Sequence, residues 1–225
     1  MLQHLKDPYD IPKAAQCTLQ FDKNTISSFL EMGFSLPESL NKAVAKRQSE
    51  YLAGRYCAKQ ALLSLNAPIQ ALGQLGEKNR APLWPANFVG SISHSHGLAR
   101  AVVARAEDFL SIGIDSEKLV SKEQAVKLKD HICYPLELTL GEKLGIEASF
   151  SLIFSAKESI FKAINPLVGV FFGYMDASLV EIGSDYFVFK LERELSPAFY
   201  SGYSHRGYFK IDYPFVHTSV CLDKD

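Results

Sequence analysis

Two segments of the chain carry apolar residues at helical spacing. From about residue 39 to residue 65 the apolar stripe includes Tyr51 and Leu62, and Pro68 then ends the pattern. The second segment, SAKESIFKAI, starts at Ser155. We therefore expect one long helix in each half of the chain.

Strands are predicted where β-branched residues cluster or alternate with polar ones. The segment NFVGSISHSHGLARAVVAR predicts two strands that are separated near His96–Gly97, and SIGID predicts a strand with Ile112 and Ile114 on one face. Residues 1–38 are expected to be largely irregular, and residues 118–150 to be helical in part. Further strands are expected around Cys17–Phe21, Ala177–Ile182, Tyr186–Leu191, Tyr208–Ile211 and His217–Leu222.

The order of these elements repeats. Each half offers a long helix followed by β-rich sequence that ends in a strand, ARAVVA in the first half and HTSVCL in the second. This order predicts an α+β fold of two halves, residues 1–108 and 109–225. The internal identity is too low for a sequence repeat.

Composition excludes several classes of protein. The 225 residues include 24 Lys and Arg against 25 Asp and Glu, and 47% are hydrophobic. Such a chain has enough apolar surface to fold, and its net charge of −1 argues against broad nucleic-acid binding. The four cysteines lie far apart without a C-x-x-C pair, so a zinc framework is not expected.

The sequence also bears on location. No apolar run approaches the roughly 18 residues of a membrane span, and the polar start lacks the apolar region of a signal peptide. We expect a cytoplasmic protein. A peripheral association with a membrane, within a synthase complex, would leave no signal in the sequence.

The segment GIDSE places two carboxylates on one strand face. Asp115 and Glu117 are two residues apart and therefore point the same way, opposite to Ile112 and Ile114. Paired carboxylates repel each other unless a cation lies between them, and Mg²⁺ prefers such hard oxygen ligands. The alternative is a strand that leaves the core into a solvated acidic turn.

The helical segment FSAKESIFKA carries Glu158 and Lys162 four residues apart. One alternative is that Glu158 and Lys162 form a surface ion pair. Another is that Ser155 and Glu158 form a capping box at a helix start. A third interpretation assigns Glu158 to the same cation and Lys162 to a phosphate.

Three further segments carry groups that suit phosphates. GSISHSHG offers Ser93 and His94, the helix RQSEYLAGRYCAKQAL offers Arg47 and Arg55, and the loop GEKNRAPLWP adds basic side chains at Lys78 and Arg80. A Ser-rich turn and a solvated basic helix face are the alternatives. A glycine inside a helix, such as Gly54, lowers helix stability by about 1 kcal/mol relative to Ala. We therefore expect a reason for Gly54, such as close packing or the approach of a ligand.

Taken in order, five motifs resemble a known family. R-x-x-E-Y-L-A-G-R, G-x-K-x-R-x-P-L-W-P, G-S-I-S-H-S, G-I-D-x-E and F-S-A-K-E-S-x-F-K, within residues 45–165, are similar to those of phosphopantetheinyl transferases of the surfactin-type superfamily. The similarity is greatest to the enterobactin synthase component D branch. Such enzymes move the 4′-phosphopantetheine arm of coenzyme A onto a serine of an apo carrier protein and release 3′,5′-ADP.

The resemblance implies a fold and a set of roles. The fold would be two similar α+β halves in pseudo-twofold arrangement, with the active site in the cleft between them. The implied Mg²⁺ ligands are Asp115, Glu117 and Glu158. Glu158, directly or through a metal-bound water, would accept the proton of the carrier serine, and Lys162 would contact the phosphate. The implied coenzyme A contacts are Arg47, Arg55, Lys78, Arg80, Ser93 and His94.

Ser116 departs from the family pattern, which usually has an apolar residue between the two carboxylates. We expect Ser116 to face away from the metal and to change packing rather than activity. The resemblance also implies a carrier with an acidic surface, for which residues 118–135 offer Lys118, Lys122, Lys127 and Lys129 beside Val120, Val126 and Leu128. A solvated charged helix is the alternative there.

Three functions remain open at this stage. The first is the transferase, in siderophore or other nonribosomal peptide synthesis and as a monomer. The others are a carrier-binding module without catalysis and a Mg²⁺-dependent phosphohydrolase of coenzyme A. The intact Asp115, Glu117, Glu158 and Lys162 favour the transferase over the binding module.

Overall fold

The computed structural model describes residues 2–67 and 82–224. The described residues divide into two compact units, which lie within Met1–Ile112 plus Leu222–Asp225 and within Gly113–Cys221. Both units combine helices and sheet, so the expected α+β class is confirmed. The cleft expected between two halves stays a prediction.

The first unit contains a four-stranded sheet in the order β1-β2-β4-β3, in which all neighbouring strands are antiparallel. Its strands and helices are β1 (Gln3–Leu5), β2 (Ala14–Gln20), α1 (Ile26–Glu31), α2 (Ala45–Ser64), β3 (Phe88–Ser95) and β4 (Leu98–Arg105).

Helix α2 packs on one face of this sheet. Leu52, Cys57 and Ala58 of the helix share a core with Leu19 and Ala101 of the strands. The helix begins six residues later than the sequence pattern indicated and ends before Pro68, which lies outside the described residues. The lead-in is more regular than expected, since it contains β1, β2 and α1.

The predicted break between β3 and β4 is a two-residue hairpin turn. His96 and Gly97 both have positive φ, 47° and 81°. That conformation matches the right-handed twist of paired strands, and it favours glycine because a Cβ is unfavourable there. The turn fixes the pairing of Ser95 with Leu98.

The second unit is built on a five-stranded sheet in the order β5-β9-β8-β7-β6. Its elements are β5 (Phe109–Lys118), α3 (Lys122–Ile132), α4 (Pro135–Leu140), α5 (Ile146–Val168), β6 (Ala177–Ile182), β7 (Tyr186–Leu191), β8 (Ser204–Asp212) and β9 (Phe215–Asp223). The four strands predicted in the tail are therefore confirmed, two of them with the expected bounds.

Helix α5 is longer than the sequence pattern indicated, because it begins at Ile146 rather than near Ser155. Serines interrupt its apolar stripe, yet Ser151, Ser155 and Ser159 are all buried. Their hydroxyls find partners inside the protein, as when Ser151 Oγ accepts a hydrogen bond from the Val120 amide at 3.1 Å. A buried hydroxyl with a partner costs little, so polar residues here do not mark a solvent face.

Candidate active site

Strand β5 brings Asp115 against helix α5. The Asp115 carboxylate accepts hydrogen bonds from Lys162 Nζ to Oδ1 at 2.7 Å and from Ser155 Oγ to Oδ2 at 2.8 Å. Gly113 permits this approach, because a Cβ at that position would collide with the Ser159 carbonyl and lie 2.5 Å from the Ala163 amide nitrogen. Asp115 is buried, so the solvated acidic turn is wrong.

Glu158 lies on α5 one turn before Lys162. Its carboxylate has a partner that the sequence analysis missed. Tyr174 donates a hydrogen bond from its phenol to Glu158 Oε1 at 2.7 Å. Neither structural alternative for this segment, an ion pair of Glu158 with Lys162 or a capping box at Ser155, is present. Ser155 lies in mid-helix and caps nothing, and Lys162 pairs with Asp115 rather than with Glu158.

Acidic side chains act on the pKa of Tyr174, the phenol that is bound to Glu158. Burial raises this pKa well above its ordinary value, and the hydrogen bond to Glu158 raises it further. The negative charges of Glu158, Asp115 and Glu117 act in the same direction. The raised pKa favours the protonated phenol, which is the form that donates to Glu158.

The chemical character of these side chains fits a hard divalent cation. Three carboxylates, from Asp115, Glu117 and Glu158, supply the oxygen ligands that Mg²⁺ prefers. As they stand, however, no group of three His, Cys, Asp or Glu side chains in residues 2–67 and 82–224 is arranged to hold a metal ion. The metal set stays a prediction, and Lys162 would have to release Asp115 Oδ1 to a metal.

A buried ion pair supports helix α5 next to Glu158. Lys157 Nζ donates to Glu137 Oε2 at 2.9 Å and to the Ile132 carbonyl at 2.7 Å. The other oxygen of Glu137 accepts from the Leu179 amide at 2.8 Å. Both charged side chains are almost fully buried, and these hydrogen bonds link α5 to α4, to the end of α3 and to β6.

An apolar cavity of about 150 Å³ opens beside Glu158. Its walls include the rings of Phe161, Phe171, Phe172 and Tyr174. Phe171 is 78% exposed, so an aromatic ring in contact with solvent lies at this cavity. The arrangement suits a slender, partly apolar chain that extends from a charged group.

The first unit contains a separate basic cavity of about 130 Å³. Arg47, Arg55 and His94 line it, together with Gly54 and Ile92. Arg47 Nη1 donates to His94 Nε2 at 3.0 Å. A Cβ on Gly54 would lie 2.8 Å from Ile92 Cγ2, so the helix glycine is explained by close packing of α2 on β3.

Arg55 is the most informative side chain of this basic cavity. It is 5% exposed and its guanidinium carbon lies 5.1 Å from the centroid of the Tyr51 ring. Its Nη1 is buried and has no hydrogen-bond partner among the described residues. A buried donor without an acceptor is costly, so an anionic ligand is a chemically suitable partner for Arg55 Nη1. Glu50 lies close by, with Oε2 3.7 Å from His94 Nδ1.

Other predicted coenzyme A contacts are less favourably placed or lie elsewhere. Ser93 alternates with His94 along β3, so it points to the opposite, buried side of the strand and does not line this cavity. Lys78 and Arg80 lie outside the described residues. The roles of all three stay predictions.

Ser116 has a specific partner. Its hydroxyl lies 2.8 Å from Nδ1 of His217 on β9, and both side chains are buried. Ser116 alternates with Asp115 and Glu117, so it faces away from them as expected. The serine that replaces the family's apolar residue therefore forms a polar contact between two strands.

Comparisons with known proteins agree with these motifs. The model of the 4′-phosphopantetheinyl transferase N-terminal domain matches residues 36–104, and that of the 4′-phosphopantetheinyl transferase superfamily matches residues 111–214. The chain is 35% identical over 184 residues to enterobactin synthase component D of Escherichia coli O157:H7. The aligned residues cover 79% of this chain and 84% of that protein. The chain belongs to the 4′-phosphopantetheinyl transferase superfamily.

Two further relatives carry the transferase name. The chain is 36% identical over 150 residues to 4′-phosphopantetheinyl transferase Npt of Nocardia iowensis. The aligned residues are 64% of each chain. It is 37% identical over 146 residues to 4′-phosphopantetheinyl transferase Svp of Streptomyces mobaraensis, 61% of this chain and 56% of that one. The chain thus spans less than two thirds of these two relatives' length.

Membership of a transferase superfamily favours the enzyme over the inactive binding module and the phosphohydrolase. The superfamily match includes Asp115, Glu117, Glu158 and Lys162. Within the part of the chain that the structure describes, no helix is both long and apolar enough to cross a membrane. The cytoplasmic location stays a prediction.

Proposed function

We propose that this transferase moves the 4′-phosphopantetheine arm of coenzyme A onto a serine hydroxyl of an apo carrier protein. The serine oxygen forms a new bond to the β-phosphorus, the pyrophosphate P–O bond breaks, and 3′,5′-ADP leaves. The observation that carries the proposal is the contact between Asp115 and Lys162 beside Glu158, in a chain of this superfamily.

Each group has a role that its surroundings support. Glu158 accepts the serine proton, since its Oε1 is already held by Tyr174 and its second oxygen is the one left for the incoming serine. Lys162 stabilises the negative charge that develops on the phosphate oxygens. Asp115, Glu117 and Glu158 would hold Mg²⁺, which supplies positive charge to the pyrophosphate when bound.

Each cavity, taken by itself, suits one part of coenzyme A. Arg47, Arg55 and His94 supply the positive charge and hydrogen-bond donors that the nucleotide phosphate requires. The apolar cavity beside Glu158 suits the pantetheine arm. Lys78, Arg80 and Ser93 are kept as further candidates for the nucleotide.

The carrier and its pathway are proposed from the names of relatives. Enterobactin synthase component D is the name of relatives, so a siderophore or other nonribosomal peptide synthase is the proposed source of the carrier. The proposed docking surface is helix α3, where Val126 and Leu128 are exposed beside Lys122 and Lys127. If charge reversal at those lysines leaves the KM for carrier unchanged, this surface is not the docking site.

The test is intact-mass spectrometry of an apo peptidyl carrier protein incubated with this protein, coenzyme A and Mg²⁺. A mass gain of one phosphopantetheine, lost with Asp115→Ala or EDTA, supports both the transfer and the metal. Coenzyme A left intact with several carriers would favour a binding module. Coenzyme A consumed without modification of the carrier would indicate a phosphohydrolase.

A further inference from the structure

We propose that Tyr174 is a positioning residue that holds the Glu158 carboxylate in the orientation needed for transfer. The inference rests on the proposed function, because it gives Tyr174 a role only if Glu158 takes part in the reaction. None of the five sequence motifs includes Tyr174, since it lies beyond the last of them.

The contact itself is short and partly buried. The phenol oxygen lies 2.7 Å from Glu158 Oε1, and the ring packs against Phe154 with 5.6 Å between the ring centroids. Tyr174 belongs to the wall of the apolar cavity, and its contact with Glu158 is partly buried. A hydrogen bond to a charged acceptor in such a place is stronger than one between neutral groups.

The backbone that carries Tyr174 is held from several sides. Tyr174–Asp176 is a single 3-10 turn, and Asp176 Oδ2 accepts a hydrogen bond from the Gly173 amide at 2.8 Å. Arg193 pairs with the other oxygen of Asp176 at 2.9 Å and also donates to the Phe171 carbonyl at 2.8 Å.

Tyr134 adds a further tether, because its phenol donates to the Met175 carbonyl at 2.7 Å. The turn therefore presents the Tyr174 phenol in one place before any ligand binds. Such preorganisation removes the cost of ordering the group during the reaction.

The consequence for Glu158 is that its two oxygens have different tasks. A glutamate side chain has several rotatable bonds and loses much freedom when it is fixed. Tyr174 takes Oε1 as its acceptor, so it fixes the plane of the carboxylate and the direction in which Oε2 is presented to the reacting groups. Without the phenol, the carboxylate samples orientations in which neither oxygen is correctly placed.

The decisive variant is Tyr174→Phe, which removes one oxygen and keeps the ring. We expect kcat to fall about ten- to hundred-fold, with the KM for coenzyme A changed less than about twofold, since the lost bond is to a charged group. Tyr186→Phe is the matched control. It removes a phenol that donates to Glu181 in the same unit, outside the proposed site, and should leave kcat unchanged.

A second readout does not depend on activity. Mg²⁺ is titrated calorimetrically into the protein with saturating coenzyme A and no carrier. Tyr174→Phe should weaken Mg²⁺ binding several-fold, and Tyr186→Phe should not. If both variants match the wild type in kcat and in Mg²⁺ affinity, Tyr174 is not a positioning residue.

A double-mutant cycle guards against a general loss of packing. In a Glu158→Gln background the positioning role predicts that Tyr174→Phe weakens Mg²⁺ binding no further, whereas a purely structural role predicts the same additional loss as in the wild type. Failure of the proposed function has a different signature. In that case the wild type does not modify the carrier, or Asp115→Ala retains full activity.

Discussion

Lys162 Nζ lies 2.7 Å from Asp115 Oδ1, so a residue assigned to phosphate and a residue assigned to metal are paired with each other. The Asp115 side chain is 4% exposed and that of Lys162 is 27% exposed. Without ligands, the ammonium therefore compensates a buried carboxylate. Binding of a metal at Asp115 would release Lys162 toward the phosphate that it is proposed to stabilise.

Substitution of Lys162 by Met should affect stability as well as rate. It leaves the Asp115 carboxylate buried without its cation, although Ser155 still donates to it, so we expect a loss of about 1–3 kcal/mol in the free energy of unfolding and about 100-fold in kcat. Urea unfolding and carrier modification measure the two effects. Lys190→Met is the control, because its pair with Glu192 is exposed and worth under about 1 kcal/mol. Equal losses of stability in both variants would contradict this account.

We propose that the buried guanidinium of Arg55 binds the nucleotide's 3′-phosphate, so Arg55→Gln should raise the KM for coenzyme A about tenfold or more. The same change should matter little for dephospho-coenzyme A, which lacks that phosphate. Steady-state kinetics with both substrates give the comparison, and Arg105→Gln, at an exposed arginine of the same unit, is the control. An equal rise in KM for both substrates would exclude the 3′-phosphate as the partner of Arg55.

Gly113→Ala should disrupt the contact between β5 and α5. The added Cβ would meet helix backbone, which cannot move aside, so we expect a loss of about 1–3 kcal/mol or more and little transferase activity. Gly173→Ala is the control for stability, since its Cβ would have nothing within 4 Å. Thermal unfolding of the two variants should separate them clearly. A wild-type melting temperature for Gly113→Ala would show that the two elements are not as tightly packed as described.

Cys133 should make the free energy of unfolding depend on pH in the alkaline range. Burial, and then the charge of Glu137, raise the pKa of its thiol from 9.0 to about 12. Above pH 9 the unfolded chain releases this proton while the folded protein keeps it, so the contribution to stability is complete below pH 9 and is lost toward pH 12.

Urea unfolding between pH 8 and 11 checks this dependence. Cys133→Ala should make the decline of unfolding free energy with pH shallower, and Cys221→Ala tests whether any cysteine substitution does so. If Cys133→Ala and the wild type decline in parallel, the thiol does not contribute.

Much of the secondary structure follows from local sequence. The hairpin at His96–Gly97 depends on two residues, and the strands of the tail depend on short alternating runs. Helix α5 shows the limit of such patterns. Its serines look like solvent positions in sequence, and only their partners, such as Thr218 for Ser159, explain why they are buried.

The sequence by itself determined the family, the kinds of chemical group and most of the elements that carry them. Alternation along SIGIDSE was sufficient to place Asp115 and Glu117 on one face, because the period of a strand is a local property. The tertiary structure decided the partners, such as Ser155 for Asp115 and Tyr174 for Glu158. Those contacts join residues 40 and 16 positions apart, and packing of whole elements, rather than local spacing, brings them together.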